Sequence, residues 1–373
     1  MTATVDKREF VKRLTTLTRI VASSRTCVPI LENVYVGIEP GTVTLKSTDL
    51  EMREYAILPA TTEGDVCAVT IPAQMMLKLL RKAPKKADTI TLSVDLEDMA
   101  LDVEVGTLKL HLKGIDAEEF PAMPVVIAGT TLGIGAADLM EALQQVLCAT
   151  ANDLSRPVLT GVNVSTSEGV LTLAAADGYR LAVRKMDVEC EGKQLNVIIP
   201  GSTLSEVVRE LKGHTENVTI SVGLDFVRIV TDTVTFISPL VEGHFPDFSV
   251  IIPTECTTHV KFLSENLLNA LSVVEPICNE NAHIVRLSVN GSLTVTATSV
   301  EMGSASQSVG AKMEGDGGDI AFNVKYLKDA MDSIHSDVVS MGMNTSAQPA
   351  IFRPVGGSDY LHVLMPMNLD YGR

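Results

Sequence analysis

Arg156-Pro157-Val158-Leu159, Ala176-Asp177-Gly178-Tyr179 and Ile199-Pro200 each stand 128 residues after a counterpart: Val28-Pro29-Ile30-Leu31, Thr48-Asp49-Leu50-Glu51 and Ile71-Pro72. One offset shared by three separate matches means that a whole segment of the chain is repeated. An acidic Phe-Pro segment closes the first two copies. It reads Asp116-Ala117-Glu118-Glu119-Phe120-Pro121 and then Glu242-Gly243-His244-Phe245-Pro246, offset by 125, so a small deletion separates them. The third copy is more worn: Ser299-Val300-Glu301-Met302 echoes Asp49-Leu50-Glu51-Met52, and Phe322-Asn323-Val324 opens a helix where Ile71-Pro72 and Ile199-Pro200 did. Solenoid units repeat every 20–50 residues or so, and a period this much longer is a domain. The 373 residues therefore read as three tandem domains, 1–127, 128–254 and 255–373.

Within a copy the spacing of Phe10, Leu14, Leu17 and Val21 is helical, and Val34 to Ile38 and Thr42 to Lys46 alternate as strands do. The second half repeats that order. Met76, Leu79, Leu80 and Ala83 share a helical face, and Thr89 to Val94, Met99 to Val105 and Leu108 to Leu112 follow as strands. Segregated helices and antiparallel strands predict an α+β fold, each domain having two helices packed under antiparallel sheets.

Composition narrows the class. At 46% hydrophobic residues the chain can build several cores, and no apolar run approaches the roughly 20 residues of a membrane span. The opening residues Met1 to Arg8 lack a secretory pattern, so a cytoplasmic location is expected. Cys27, Cys67, Cys148, Cys190, Cys256 and Cys278 are scattered singly and read as reduced core thiols, with no zinc or redox spacing. No Gly-rich phosphate loop, nucleophile elbow or HExxH is present, and the seven histidines are dispersed. Nothing assembles an enzyme, and no cofactor or metal is called for. Asp177-Gly178 reads as a turn between strands.

A net charge of −16 argues against nucleic acid until its distribution is considered. Arg8, Lys12, Thr15 and Arg19 fall on one face of the first helix, opposite its apolar stripe. Lys78, Arg81, Lys82 and Lys85 do the same on the second. The middle copy offers Ser205, Arg209 and Lys212, the third only Lys325 and Lys328. The bland reading of any one such helix is a solvated face, but recurrence across copies points to a shared anionic ligand. With no Trp and 4% aromatic residues, stacking on splayed bases is poorly served, and contact with duplex phosphates, which permits sliding, remains. The terminus, Tyr360 to Met367, reads as a strand running into a Met-Pro-Met end. That end suits a core edge or an adaptable docking surface equally.

Four pieces, each in place within the repeat, resemble the beta subunit of bacterial DNA polymerase III, the sliding clamp, over essentially the whole chain. They are Ala176 to Ala182, Glu242 to Asp247, Phe322 to Leu327 and Val363 to Met367. The resemblance implies a non-catalytic processivity factor, a head-to-tail homodimer forming a ring around duplex DNA without sequence specificity. It also implies partners: the polymerase III alpha subunit, other polymerases and a clamp loader complex. It places a peptide-docking pocket at Leu159, Ala176, Gly178, Tyr179, Arg180 and Leu181, with Pro246, Ile251, Val363, Met365, Pro366 and Met367. Arg25 and Arg156 match positions expected to touch DNA, and Leu110 should meet Ile277 across the dimer interface. The chain departs from the family pattern at Ala176 (Thr is common), Tyr179 (His is common) and Asn368 (Arg is usual), so its peptide preference is expected to differ from the family's. A clamp paralogue with a specialised or resistance role is the alternative.

Overall fold

The computed structural model describes residues 1–21, 28–278, 283–357 and 359–368. Arg25, Cys27 and the tail 369–373 lie outside them. Among the described residues there are six α-helices, α1 Lys7–Leu17, α2 Ala73–Leu80, α3 Ala136–Leu147, α4 Gly201–Glu210, α5 Ser264–Val274 and α6 Val324–Ser333, two for each copy of the repeat. None is long and apolar enough to cross a membrane.

Local chemistry sets the helix ends. Asp6 caps α1 by accepting the Glu9 amide, and Asn323 caps α6 by accepting the amides of Lys325 and Tyr326. Phe10, Leu14 and Leu17 are buried along α1, and Val21 is buried beyond its last residue. In α2 the buried face is Met76, Leu77 and Leu80, with Leu79 half-buried, because the helix stops at Leu80 and Ala83 belongs to the turn after it.

The chain divides into two compact bodies. One comprises Met1–Ala137, Cys190–Lys193 and Arg209–Leu240; the other comprises Asp138–Glu189, Gln194–Val208 and Val241–Arg373. The division cuts through the middle copy because its two half-units belong to different sheets. In the first body a ten-stranded sheet continues from the first copy into the middle one through the antiparallel pair Arg53–Pro59 and Thr235–Pro239. In the second body a nine-stranded sheet continues from the middle copy into the third through Arg180–Asp187 and Tyr360–Leu364. A hydrogen-bonded ladder thus closes each seam between copies.

The helices follow the same rule. In the first body α1 meets the end of α4: Glu210, buried, accepts from Thr16 Oγ1 at 2.8 Å and pairs with Arg13 at 3.4 Å. In the second, Cys148 just past α3 lies 3.1 Å from Ser333 of α6, and Glu141 faces His335 at 3.3 Å. Each seam joins the first helix of one copy to the second helix of the next. By that rule α5 and α2 are left without a counterpart among the described residues. So are two sheet edges, Gly303–Val309 at the end of a four-stranded sheet and Leu108–Lys113 at the end of a five-stranded one.

Candidate docking site and basic helix faces

The strand Val170–Ala176 turns at Asp177-Gly178 into Arg180–Asp187. The Asp177 carboxylate accepts the amides of Tyr179 (2.9 Å) and Arg180 (3.0 Å), and Gly178 at φ +91° supplies the left-handed step that a side chain disfavours. Alternation along the two strands then sends Ala174 and Ala176, Leu181 and Val183 to one face. Val363 pairs with Leu181, and Ile351 with Val363, so an apolar floor of Ala174, Leu181, Val183, Ile351 and Val363 forms across four strands. Phe245, Phe248 and Ile252 from the segment that closes the middle copy lean against it, with Ala176, Cys256 and Leu361. That segment is held close: a Cβ on Gly243, whose φ is +113°, would come within 2.8 Å of Val158.

The chain end borders the floor. The Met365 amide donates to Tyr179 O at 2.8 Å, extending the ladder by one bond, and the Met367 amide donates to Ala321 O at 2.8 Å, tying the Met-Pro-Met segment to the strand Gly318–Asn323 of the four-stranded sheet. Tyr179, Ile251 and Met365 stay exposed at 57%, 41% and 39%, and Pro246 is exposed too, while Leu159 is buried beneath. A buried apolar floor bordered by exposed soft and aromatic side chains is the chemistry that seats Leu or Phe anchors of a short peptide.

Arg180 differs from its expected position at a peptide's side. It is 9% exposed, donates from Nε to Asp177 (3.0 Å) and from Nη1 to Asp329 (2.6 Å), and lies 4.4 Å over the Tyr326 ring, on which Tyr179 also stacks. Its guanidinium is committed inside the protein and holds the rim in place. Behind it Tyr360 Oη donates to Gln145 O at 3.0 Å and lies 2.8 Å from His362 Nδ1. Burial, then the Arg180 charge, pushes the His362 pKa down to about 3, so its imidazole is neutral. Sequence reasoning missed Ala174, Val183, Ile351, Tyr326 and Asp329. Spacing of two along the strands pointed to the first two, and the last two come from α6, far off in the chain.

The basic residues are mostly where amphipathicity put them. Arg8, Lys12, Lys78, Arg81 and Lys82 are exposed, and Arg81 reaches Thr15 at 3.5 Å, bringing the polar faces of α1 and α2 side by side. Arg209, Lys212, Lys325 and Arg156 are exposed. Lys328 is a correction: half-buried, it pairs with Glu275 at 2.8 Å, so its charge is spent within the third copy. Leu110 and Ile277 are half-buried, Leu110 on the unpaired edge Leu108–Lys113 and Ile277 just after α5. The cysteines are less uniform than core thiols: Cys67 and Cys278 are buried, Cys148, Cys190 and Cys256 half-buried, and all five are unbridged. Among the described residues no His/Cys/Asp/Glu group could hold a metal ion.

Models of the DNA polymerase III beta subunit match the chain three times in succession, as N-terminal domain over residues 1–124, central domain over 134–247 and C-terminal domain over 249–368. The chain belongs to the DNA polymerase III beta subunit family. It is 27% identical to the beta sliding clamp of Staphylococcus aureus over 98% of this chain and 99% of that one. Among solved structures it is similar to a sliding clamp from Pseudomonas aeruginosa (TM-score 0.94, 27% identity, 99% and 100% of the two chains). It is also similar to the DNA polymerase sliding clamp of Bacillus subtilis (TM-score 0.92, 25% identity, 99% of each). A beta-subunit sliding clamp is a processivity factor without catalytic chemistry, and that is the function of this chain. None of these matches points to a specialised paralogue.

Proposed function

We propose that this clamp works as a head-to-tail homodimeric ring of six domains, with boundaries at 1–127, 128–254 and 255–373, that encircles duplex DNA in the cytoplasm. The observation that carries the reading is the seam rule. Twice within the chain, the third strand of a first half-unit pairs with the last strand of the next copy's second half-unit. The strands left over among the described residues, Gly303–Val309 and Leu108–Lys113, are the two that the same rule would join, and a second copy supplies the partner for each. A head-to-tail contact that closes on a two-fold rotation gives a ring rather than a filament. Leu110 and Ile277 stand beside those edges.

Duplex DNA without sequence specificity is the ligand of the helix faces, through Arg8, Lys12, Lys78, Arg81, Lys82, Arg209, Lys212 and Lys325, with Arg156 and Arg25; phosphate contact of this kind positions a protein and permits sliding. The docking pocket takes linear peptides of the polymerase III alpha subunit, other polymerases and the clamp loader complex, and its tether raises their effective concentration at the template. The experiment is retention. Loaded by a cognate loader onto nicked circular plasmid, the protein stays until the DNA is linearised and then runs off the ends. Equal binding to circles and linear DNA that vanishes in modest salt would leave only phosphate attraction.

A further inference from the structure

The ladder that builds the docking pocket occurs a second time, in the ten-stranded sheet. In the pocket, Ala174 is opposite Val183, Ala176 opposite Leu181, Leu181 opposite Val363 and Val363 opposite Ile351. At the seam between the first two copies, the same positions are Lys46 opposite Tyr55, Thr48 opposite Arg53, Arg53 opposite Ile237 and Ile237 opposite Arg228. The covering aromatic has its counterpart too. Phe245 leans on the pocket floor, and Phe120, its partner in the repeat, packs on Tyr35 with ring centres 5.7 Å apart, one strand over from Lys46.

The frame is shared and the chemistry is changed. Apolar side chains in one seat are replaced by cations and a tyrosine in the other. Lys46 holds its ammonium 4.4 Å from the Tyr35 ring. Arg53 and Arg228 flank Ile237 on the two neighbouring strands, which puts their backbones roughly 9–10 Å apart with both side chains on one face. Nε of each is buried and has no hydrogen-bond partner among the described residues. A buried donor without an acceptor is costly and rare in native proteins, and both of these sit at the root of guanidinium groups that stand on the same face, one on each side of Ile237. At the rim, the turn that mirrors Asp177-Gly178 carries Leu50, half exposed and held at φ +78°. A left-handed leucine is a strained feature of the kind that clusters at ligand clamps.

We propose that this face of the ten-stranded sheet is a second docking seat, whose occupant is an acidic peptide segment of a partner protein. Its carboxylates take the Arg53 and Arg228 guanidinium forks, which match carboxylate geometry, and an apolar residue between them lies on Ile237 and Leu50. A peptide fits better than nucleic acid because the flanking turns carry Asp49 and Glu51 on one side and Glu118 and Glu119 on the other. A continuous polyanion would run into them, and a segment with two spaced carboxylates need not. The helix faces assigned to DNA do not include this surface: α1 packs on the strands Thr42–Thr48 and Arg53–Pro59, where Leu45 and Ala56 are buried on the face away from Lys46 and Tyr55.

The test is a displayed library of short peptides selected on the full-length protein. Enriched sequences are measured by fluorescence anisotropy on the parent, on an Arg53→Gln/Arg228→Gln double variant and on a Met365→Ala variant of the docking pocket, with an oligothymidylate as competitor. The expected result is a class of peptides with two carboxylates about an apolar residue. Its affinity falls at least tenfold in the double variant, stays within twofold in Met365→Ala, and is not displaced by the oligonucleotide. Absence of such a class overturns the proposal, as does displacement by oligothymidylate, which would make the face a nucleic-acid surface. Peptides weakened only by Met365→Ala report on the first pocket, and thermal unfolding of the double variant shows independently that its fold is intact.

Discussion

Arg180 and Asp329 lie 149 residues apart in the chain and meet at 2.6 Å, Nη1 to Oδ2, binding the turn of the middle copy to α6 of the third. Asp177 takes the Nε of the same guanidinium at 3.0 Å, so one nearly buried cation ties together two carboxylates from two copies. Removing Asp329 leaves Arg180 with Asp177 alone, so what is lost is one charge-assisted hydrogen bond, about 2 kcal/mol. Asp329→Asn should therefore lower stability by about that amount in chemical denaturation. It should also weaken a docking peptide, since Tyr179 loses the fixed Tyr326 and Arg180 beneath it. Unchanged peptide affinity would show that the rim does not depend on this tie.

His362 makes the same seam sensitive to acid. With Tyr360 donating to Gln145 O, the tyrosine oxygen accepts from His362 Nδ1–H, and Nε2 is left without a partner. An unfolded histidine takes up a proton near pH 6.5, while burial keeps this ring neutral down to about 3. The stability due to the neutral ring is whole above pH 6.5 and is lost as pH falls toward 3, at about 1.4 kcal/mol per pH unit. Between pH 7 and pH 5 the parent should thus lose about 2 kcal/mol more than His362→Gln, as read by denaturant titration at the two pH values.

The turns Asp49-Leu50 and Asp177-Gly178 hold the same left-handed step with different residues, at φ +78° and +91°. Leu50→Gly removes a steric penalty of about 1–2 kcal/mol and gives back part of it as unfolded-chain entropy, so a gain of up to about 1 kcal/mol is expected. Gly178→Ala runs the other way. Its new Cβ would sit 3.4 Å from Arg156 Nη1 in a backbone region that alanine disfavours, for a loss of about 1–2 kcal/mol. Thermal melts of both variants beside the parent measure the contrast.

What could be read from the sequence was whatever repeats. Matches at one offset gave two copies and looser echoes the third, with two helices in each and the strand order within a copy, because apolar period and turn residues act locally. Two of the five floor residues followed, since Leu181 and Val363 sit in motifs at fixed places in the repeat. Lys328 went astray because its partner Glu275 lies 53 positions away, and a helical wheel shows which way a lysine points without showing what meets it there. Arg180, which the resemblance places at the docking pocket, meets Asp329 149 positions away, and no local pattern shows that contact. The division of the middle copy between two sheets was invisible for a different reason, as it depends on which edge strands find each other across copies, and edge pairing leaves no local signature.

Edge pairing also yields the prediction on assembly. Leu110 is half-buried on the unpaired strand Leu108–Lys113, whose outward neighbours Lys109, His111 and Lys113 already pair with Glu104, Asp98 and Asp102 along their own sheet. With its charges satisfied at home, that edge has apolar area and free backbone groups to offer a second copy. Leu110→Glu puts an unpaired carboxylate into the contact and should convert dimer to monomer, while leaving far-ultraviolet circular dichroism and docking-peptide affinity unchanged. Analytical ultracentrifugation over a range of concentrations separates the cases: the parent should sediment at twice the chain mass and the variant at one. If the variant remained a dimer at micromolar concentration, the interface would have to lie elsewhere, and the seam rule would hold only within the chain.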